Sequence, residues 1–177
     1  YQSASLFNVN LGITRGYQGA GLANFNRWDF IGFQGAGITN LTFGNFPGFQ
    51  CASIFNLARD VVGFTGAGIS SDAFGELKGC QGAGVRNSAL GDAKGFQGAG
   101  IANVSRAMMG FQGGGITNIA LGDAAGFQGA GITNVTVGDT RGLQASGIAN
   151  VTTGQVTGAQ IGLVNYGARV KGAQIGL

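Results

Sequence analysis

The side chains able to do chemistry are few, and they recur at fixed spacing. No histidine occurs among the 177 residues. Neither a Ser-His-Asp nor a Cys-His relay can therefore be assembled, and a metal would have to be held by carboxylates, amides or the two thiols. Asp92, Asp123 and Asp139 occupy equivalent turn positions, with Glu76 at a fourth. Carboxylates stacked in this way could bind calcium, but the Gly-Gly-x-Gly-x-Asp pattern of calcium-binding repeats is absent. Turn capping by Asp, with Lys94 and Arg141 nearby, accounts for them more simply. Gly-Ala-Gly recurs too often to be a nucleotide loop, and no helix follows it to receive a phosphate. Cys51 and Cys80 sit two repeats apart, a separation of about 9–10 Å that exceeds the roughly 7 Å a disulfide tolerates. Both read as free packing residues. The expectation is a protein with no catalytic residue, no metal and no cofactor.

Composition narrows the class further. Glycine supplies 37 residues and proline one, Pro47; 10% of residues are charged and 44% hydrophobic, with thirteen Phe. Collagen needs abundant proline and glycine at every third position, and a disordered chain needs far less apolar material. The net charge of +3 arises from ten basic and seven acidic residues. The basic ones are scattered singly, whereas a nucleic-acid surface needs a dense stripe, so no nucleic-acid partner is expected. No apolar stretch reaches about 18 residues, and the strand-sized units fall short of the roughly 9–11 residues of a transmembrane β-strand, so no membrane span is expected.

The elements that position these residues are set by a repeat. The phrase Gly-Phe-Gln-Gly-Ala-Gly-Ile-Thr-Asn begins at Gly32 and recurs with changes from Gly16 to Gly172 at intervals of 14 to 16 residues. Numbered from its first Gly, the unit has an aromatic at its second position (Phe33, Phe96, Phe111, Phe127), glutamine at its third (Gln18, Gln34, Gln97, Gln112, Gln128) and asparagine at its ninth (Asn24, Asn40, Asn103, Asn118, Asn134). Thr65 and Ser71 are the exceptions to glutamine and asparagine. Four glycines per unit defeat a helix, at about 1 kcal/mol each relative to Ala. Alternation fits instead: Ala36 and Ile38 share one face, Leu41 and Phe43 share a face after Asn40, and Gly-Asp or Gly-Asn closes the unit as a turn.

A unit this small cannot bury its own apolar face, so neighbours must stack. The predicted fold is all-β: a β-solenoid of about eleven repeats, roughly 50 Å long, spanning 1–177 as one repeat domain with Gln, Asn and aromatic ladders along its axis. The glycines at the fourth position, Gly98, Gly113 and Gly129, are expected to pack closely or to adopt positive φ. All charged residues except Arg86 fall outside the nine-residue phrase, which is therefore expected to be the buried or tightly packed part. Four Asn-apolar-Thr/Ser tripeptides, at Asn40, Asn103, Asn134 and Asn150, match glycosylation acceptors as a by-product of the repeat. Tyr1 and Leu177 both fall within repeat phrasing. Uncapped ends predict end-to-end self-association.

The closing segment from Gly158 to Leu177, Gly-Ala-Gln-Ile-Gly-Leu-Val-Asn-Tyr-Gly-Ala-Arg-Val-Lys-Gly-Ala-Gln-Ile-Gly-Leu, resembles the Gly-x-Gln-Ile-Gly-Leu-x-Asn repeats of bacterial surface-repeat proteins. The rest looks like a glycine-richer version of that motif. The Gln and Asn ladders are also similar in kind to curlin fibre repeats, although the Gln-to-Asn separation here is six and the unit is shorter. Either resemblance implies an exported surface or fibre protein. The expected function is a structural building block of a cell-surface or extracellular filament. The alternative is an adhesin or spike that grips a glycan or another surface through Trp28 and Phe30. Trp28 replaces the turn glycine, and as a bulky apolar residue it is read first as a core anchor. An ice-binding face would need a regular hydroxyl array, which the eighth position, running Thr39, Phe55, Ser70, Arg86, Ala102, does not provide.

Overall fold

The computed structural model describes residues 1–176; Leu177, the last residue of the repeat phrasing, lies outside them. Each unit folds as a seven-residue strand and a four-residue strand joined by bends, for example Phe30–Ala36 with Thr39–Thr42, then Phe46–Ala52 with Phe55–Ala58. Long strands pair only with long strands of adjacent units and short with short, always parallel, so the chain coils as a β-solenoid. The register follows the repeat: Gly32 pairs with Gly48, Phe33 with Phe49 and Gln34 with Gln50. Near the end the turn is absorbed into longer strands, Ala149–Ile161 and Val164–Ile175, with a register shift between Thr152 and Gln155. That shift accommodates the 14-residue unit.

Bends usually leave backbone groups unpaired, but here each corner stacks on the one before. The amides of Ile38 and Thr39 both donate to the Leu22 carbonyl, at 2.9 and 3.1 Å, and the Phe43 amide donates to the Asn26 carbonyl at 2.9 Å. The ladder of backbone bonds therefore continues around the whole coil, which satisfies the requirement that buried backbone groups be paired.

The interior is narrow and mostly polar. Along a long strand the residue two before the glycine and the glutamine point inward (Phe30, Gln34), and along a short strand the asparagine and the residue two later do (Asn40, Thr42). The apolar column runs Phe30, Phe46, Val61, Leu77 and Ala93, with Ala58, Ala73 and Ala89 facing it. Phe30 and Phe46 stack inside at 5.7 Å between ring centroids. Phe30, expected as an exposed contact, is therefore a fully buried core residue. Its place two residues before Gly32 puts it on the same strand face as Gln34, and that face points inward.

The glycines divide by role. Every unit's first glycine, from Gly16 to Gly172, has φ between +112° and +150°, a region open only to glycine without strain. A Cβ at Gly126 would also be driven into the Gly110 carbonyl of the previous rung. The fourth-position glycines do not share this conformation. They lie beneath the ring two residues earlier: a Cβ at Gly98 would meet Phe96 at 2.8 Å and one at Gly129 would meet Phe127 at 2.7 Å. Where Cys80 replaces the ring, Gly82 has nothing within 4 Å. Gly126→Ala is thus expected to lose at least about 2 kcal/mol, whereas Gly82→Ala gains up to about 1 kcal/mol by restricting the unfolded chain. Chemical denaturation of the two variants checks this, and equal effects would refute the assignment.

Candidate functional site

Two amide ladders run the length of the interior. Each asparagine donates upward: Asn24 Nδ2 to Asn40 Oδ1 at 2.8 Å, Asn40 to Asn56 and Asn118 to Asn134 at 2.9 Å. The second hydrogen of the same amide goes to a backbone carbonyl of the next rung, as from Asn40 to Cys51 and from Asn118 to Gly129 at 2.7 Å. Asn103 repeats both bonds, to Asn118 Oδ1 at 2.9 Å and to the Gly113 carbonyl at 2.7 Å. The glutamines donate in the opposite direction. Gln34 Nε2 bonds Gln18 Oε1 at 3.0 Å, Gln112 bonds Gln97 at 2.7 Å and Gln128 bonds Gln112 at 2.9 Å. These side chains are buried. The acceptor-type asparagines Asn40, Asn103, Asn134 and Asn150 are among them, so in the folded rod their amides are closed to glycosylation.

One rung departs from the pattern in both ladders at once. Thr65 stands for glutamine and Ser71 for asparagine, and their hydroxyls bond each other at 2.8 Å. The exchange leaves two orphans. Gln50 Oε1, which would accept from a glutamine at position 65, and Asn87 Oδ1, which would accept from an asparagine at position 71, have no hydrogen-bond partner. An unsatisfied buried acceptor costs about 1–3 kcal/mol.

The aromatic ladder lies outside, where the phrase is tightly packed rather than buried. Phe33 stacks on Phe49 at 5.3 Å, Phe96 on Phe111 at 5.0 Å and Phe111 on Phe127 at 4.9 Å, with ring planes within 13° of parallel. Rings from Tyr17 to Phe111 remain 37–43% exposed. Alternation explains this: the residue beside the inward glutamine must point outward. Cys80 interrupts the row. It is exposed, Cys51 is half-buried, and both are free thiols; burial pushes the Cys51 thiol above its ordinary pKa.

At the turn edge the carboxylates cap backbone amides of the next rung. Asp29 accepts from the Asn45 amide, Asp60 from Glu76 and Asp139 from Gln155, each at 2.7 Å, and Asp123 accepts from Asp139 at 2.8 Å. Asp92 instead pairs with Arg106 at 2.9 Å and Glu76 with Lys78 at 2.9 Å. The Lys78 hydrogen bond and charge hold the Glu76 carboxyl below its usual value and raise Lys78. Among the described residues no group of three or more His, Cys, Asp or Glu is arranged to hold a metal ion. Trp28, beside the Asp29 cap, is 54% exposed. It is therefore a surface residue, which overturns its assignment as a core anchor: a corner bend turns it away from the interior that Phe30 enters.

No family model matches the chain, and no curated protein or solved structure is significantly similar to it. No helix in the described residues is long and apolar enough to cross a membrane.

Two measurements follow from the interior. Thr65→Gln combined with Ser71→Asn should restore both ladders and raise stability by about 1–3 kcal/mol, while each substitution alone gains less because the hydroxyl pair is broken first. Gln97→Leu should lose a comparable amount. Thermal melts read all of these, and a neutral Gln97→Leu would remove the ladder from the stability account. Since the buried polar groups are amides and hydroxyls, stability should also be nearly flat between about pH 5 and 9. The lowered Glu76 carboxyl contributes stability that is present above its unfolded value and fades as pH falls through the folded one. The same melts across pH test this, and a steep change between about pH 5 and 8 would contradict it.

Proposed function

We propose that this chain is a non-enzymatic structural protein, a rigid solenoid rod that serves as a building block of an exported cell-surface or extracellular fibre and assembles by strand stacking along its axis. The observation that carries this reading is the pair of buried amide ladders. Each rung offers the next a matching row of backbone groups, amide donors and amide acceptors, so one rung is a template for another of the same sequence. The resemblance of the repeat to bacterial surface-repeat proteins supports export.

A second reading, a spike or adhesin, is favoured by the exposure of Trp28 at a turn. An indole at the rim of a rod can anchor a partner through a large apolar face. The two readings separate experimentally. Electron microscopy and sedimentation of the purified chain should show rods that lengthen with concentration, and Trp28→Ala should leave both the fold and this growth unchanged. Rods of fixed length at high concentration, together with loss of surface binding in Trp28→Ala, would replace the fibre reading with the adhesin.

A further inference from the structure

We propose that one edge of the rod is a lateral docking surface for a second copy of this chain, paired side by side. This is distinct from axial stacking and does not depend on it. The first seven positions of every repeat contain no charged residue, although the chain carries ten basic and seven acidic side chains in all. These positions form a continuous strip running along the axis. The outer ring row makes one ridge and the corner isoleucines make another; Ile101, Ile116 and Ile132 are 41–43% exposed. Between them, in the rungs from Gly35 to Ala67, lies a shallow groove floored by small residues such as Ala36, Ala52 and Ala67.

Ridge and groove are side by side on one surface, so a two-fold axis can set the ring ridge of each copy into the groove of the other. That is the self-complementary arrangement of an isologous contact. Period selects the occupant. The rings recur every 4.6 to 5.3 Å, and an apolar surface meets all of them in register only if it has the same rung spacing of about 4.8 Å. A second copy of this chain has it.

The geometry of the rings argues against a sugar on this edge. Their faces are covered by the rings above and below, with planes 1° apart between Tyr17 and Phe33 and 8° apart between Phe33 and Phe49, so they present edges outward and leave no face for stacking. The glutamines of the same strands point inward and cannot serve hydroxyl groups.

Area is sufficient. Eleven rungs at about 4.8 Å, across a strip about 15 Å wide, give roughly 790 Å² per copy. A stable interface buries about 800 Å² per partner.

The test uses the intact chain. Sedimentation at concentrations below those at which rods lengthen should give twice the monomer mass, and negative-stain images should show rods of doubled width. Phe33→Lys with Phe111→Lys places charges on the ring ridge and should halve both mass and width with an unchanged circular dichroism spectrum. Ile101→Lys with Ile132→Lys, on the corner row outside the strands, should do the same and serves if the ring variant fails to fold. Leu121→Lys, at the exposed opposite corner, should remain paired. Single-width rods for the parent, or doubled width that survives both charged variants, would overturn the proposal. Rods that grow in length but never in width would overturn it while leaving the axial reading standing. Monomers that instead bind insoluble polysaccharide or lipid vesicles through this edge would also overturn it.

Discussion

A buried primary amide has two donor hydrogens and an acceptor oxygen, and in a coil only two strands across the nearest place to satisfy them is the next rung. The rest of this structure depends on that constraint. An orphaned amide group costs about 1–3 kcal/mol, so the ladder favours a glutamine above and below each glutamine, and Gln50, beside Thr65, is left with an unpaired oxygen. The bonds fix register as well as stability, because a one-residue slip would turn every inward amide to the surface. The apolar column obeys no such rule. It runs from Phe30 and Phe46 to Ala93 and Ala124, because dispersion contacts are non-directional and tolerate a change in size that hydrogen bonds do not tolerate in chemistry. The Thr65–Ser71 rung shows the constraint from the other side: both amides are lost together, the hydroxyls satisfy each other, and the unpaired atoms appear one rung away on either side.

The two ladders also oppose each other in direction, with asparagines donating forward along the chain and glutamines backward. Amide dipoles aligned over many rungs would add, as peptide dipoles do in a helix. Two antiparallel columns offset most of that sum. The interior can therefore lengthen without accumulating a large axial field, which suits a rod whose length is set only by the number of repeats.

The fold was legible because its period is written in the sequence, with Gln and Asn recurring where no surface role would demand them. What was inside and what was outside was less legible. Apolar alternation ordinarily marks the buried face, and the Phe33 row of the uncharged phrase falls on that rule to the packed side. Once paired amides occupy the interior, the rule inverts: Gln34 and Asn40 point inward, and their apolar neighbours are pushed outward by the pleat. Trp28 and Phe30 were misassigned for a related reason. They are two residues apart, which in an unbroken strand would put them on one face, but the bend at Arg27 and Trp28 breaks the alternation and sends one to solvent and the other into the core. The positive φ of the first glycine was equally hidden, since nothing in a run of several glycines distinguishes the one that must be left-handed from those lying under a ring.

The same stacking rule limits charge. Neutral amides and rings improve when like meets like one rung away, whereas like charges directly opposite on adjacent strands repel. The chain limits this by keeping six of its seven carboxylates at the turn edge and by pairing several unlike residues, Glu76 with Lys78, Asp92 with Arg106 and, across adjacent short strands, Asp72 with Arg86 at 2.8 Å, although Lys78 and Lys94 do stand opposite each other on adjacent long strands. Where carboxylates do stack, as at Asp123 and Asp139, each is occupied by a backbone amide of the next rung. Charge therefore sits at the turn edge, on basic residues near the start of several long strands and on the Asp72–Arg86 pair, while the strip of rings, glycine and isoleucine stays neutral. The neutral strip is thus a surface on which two rods of the same period would bring no charge against charge.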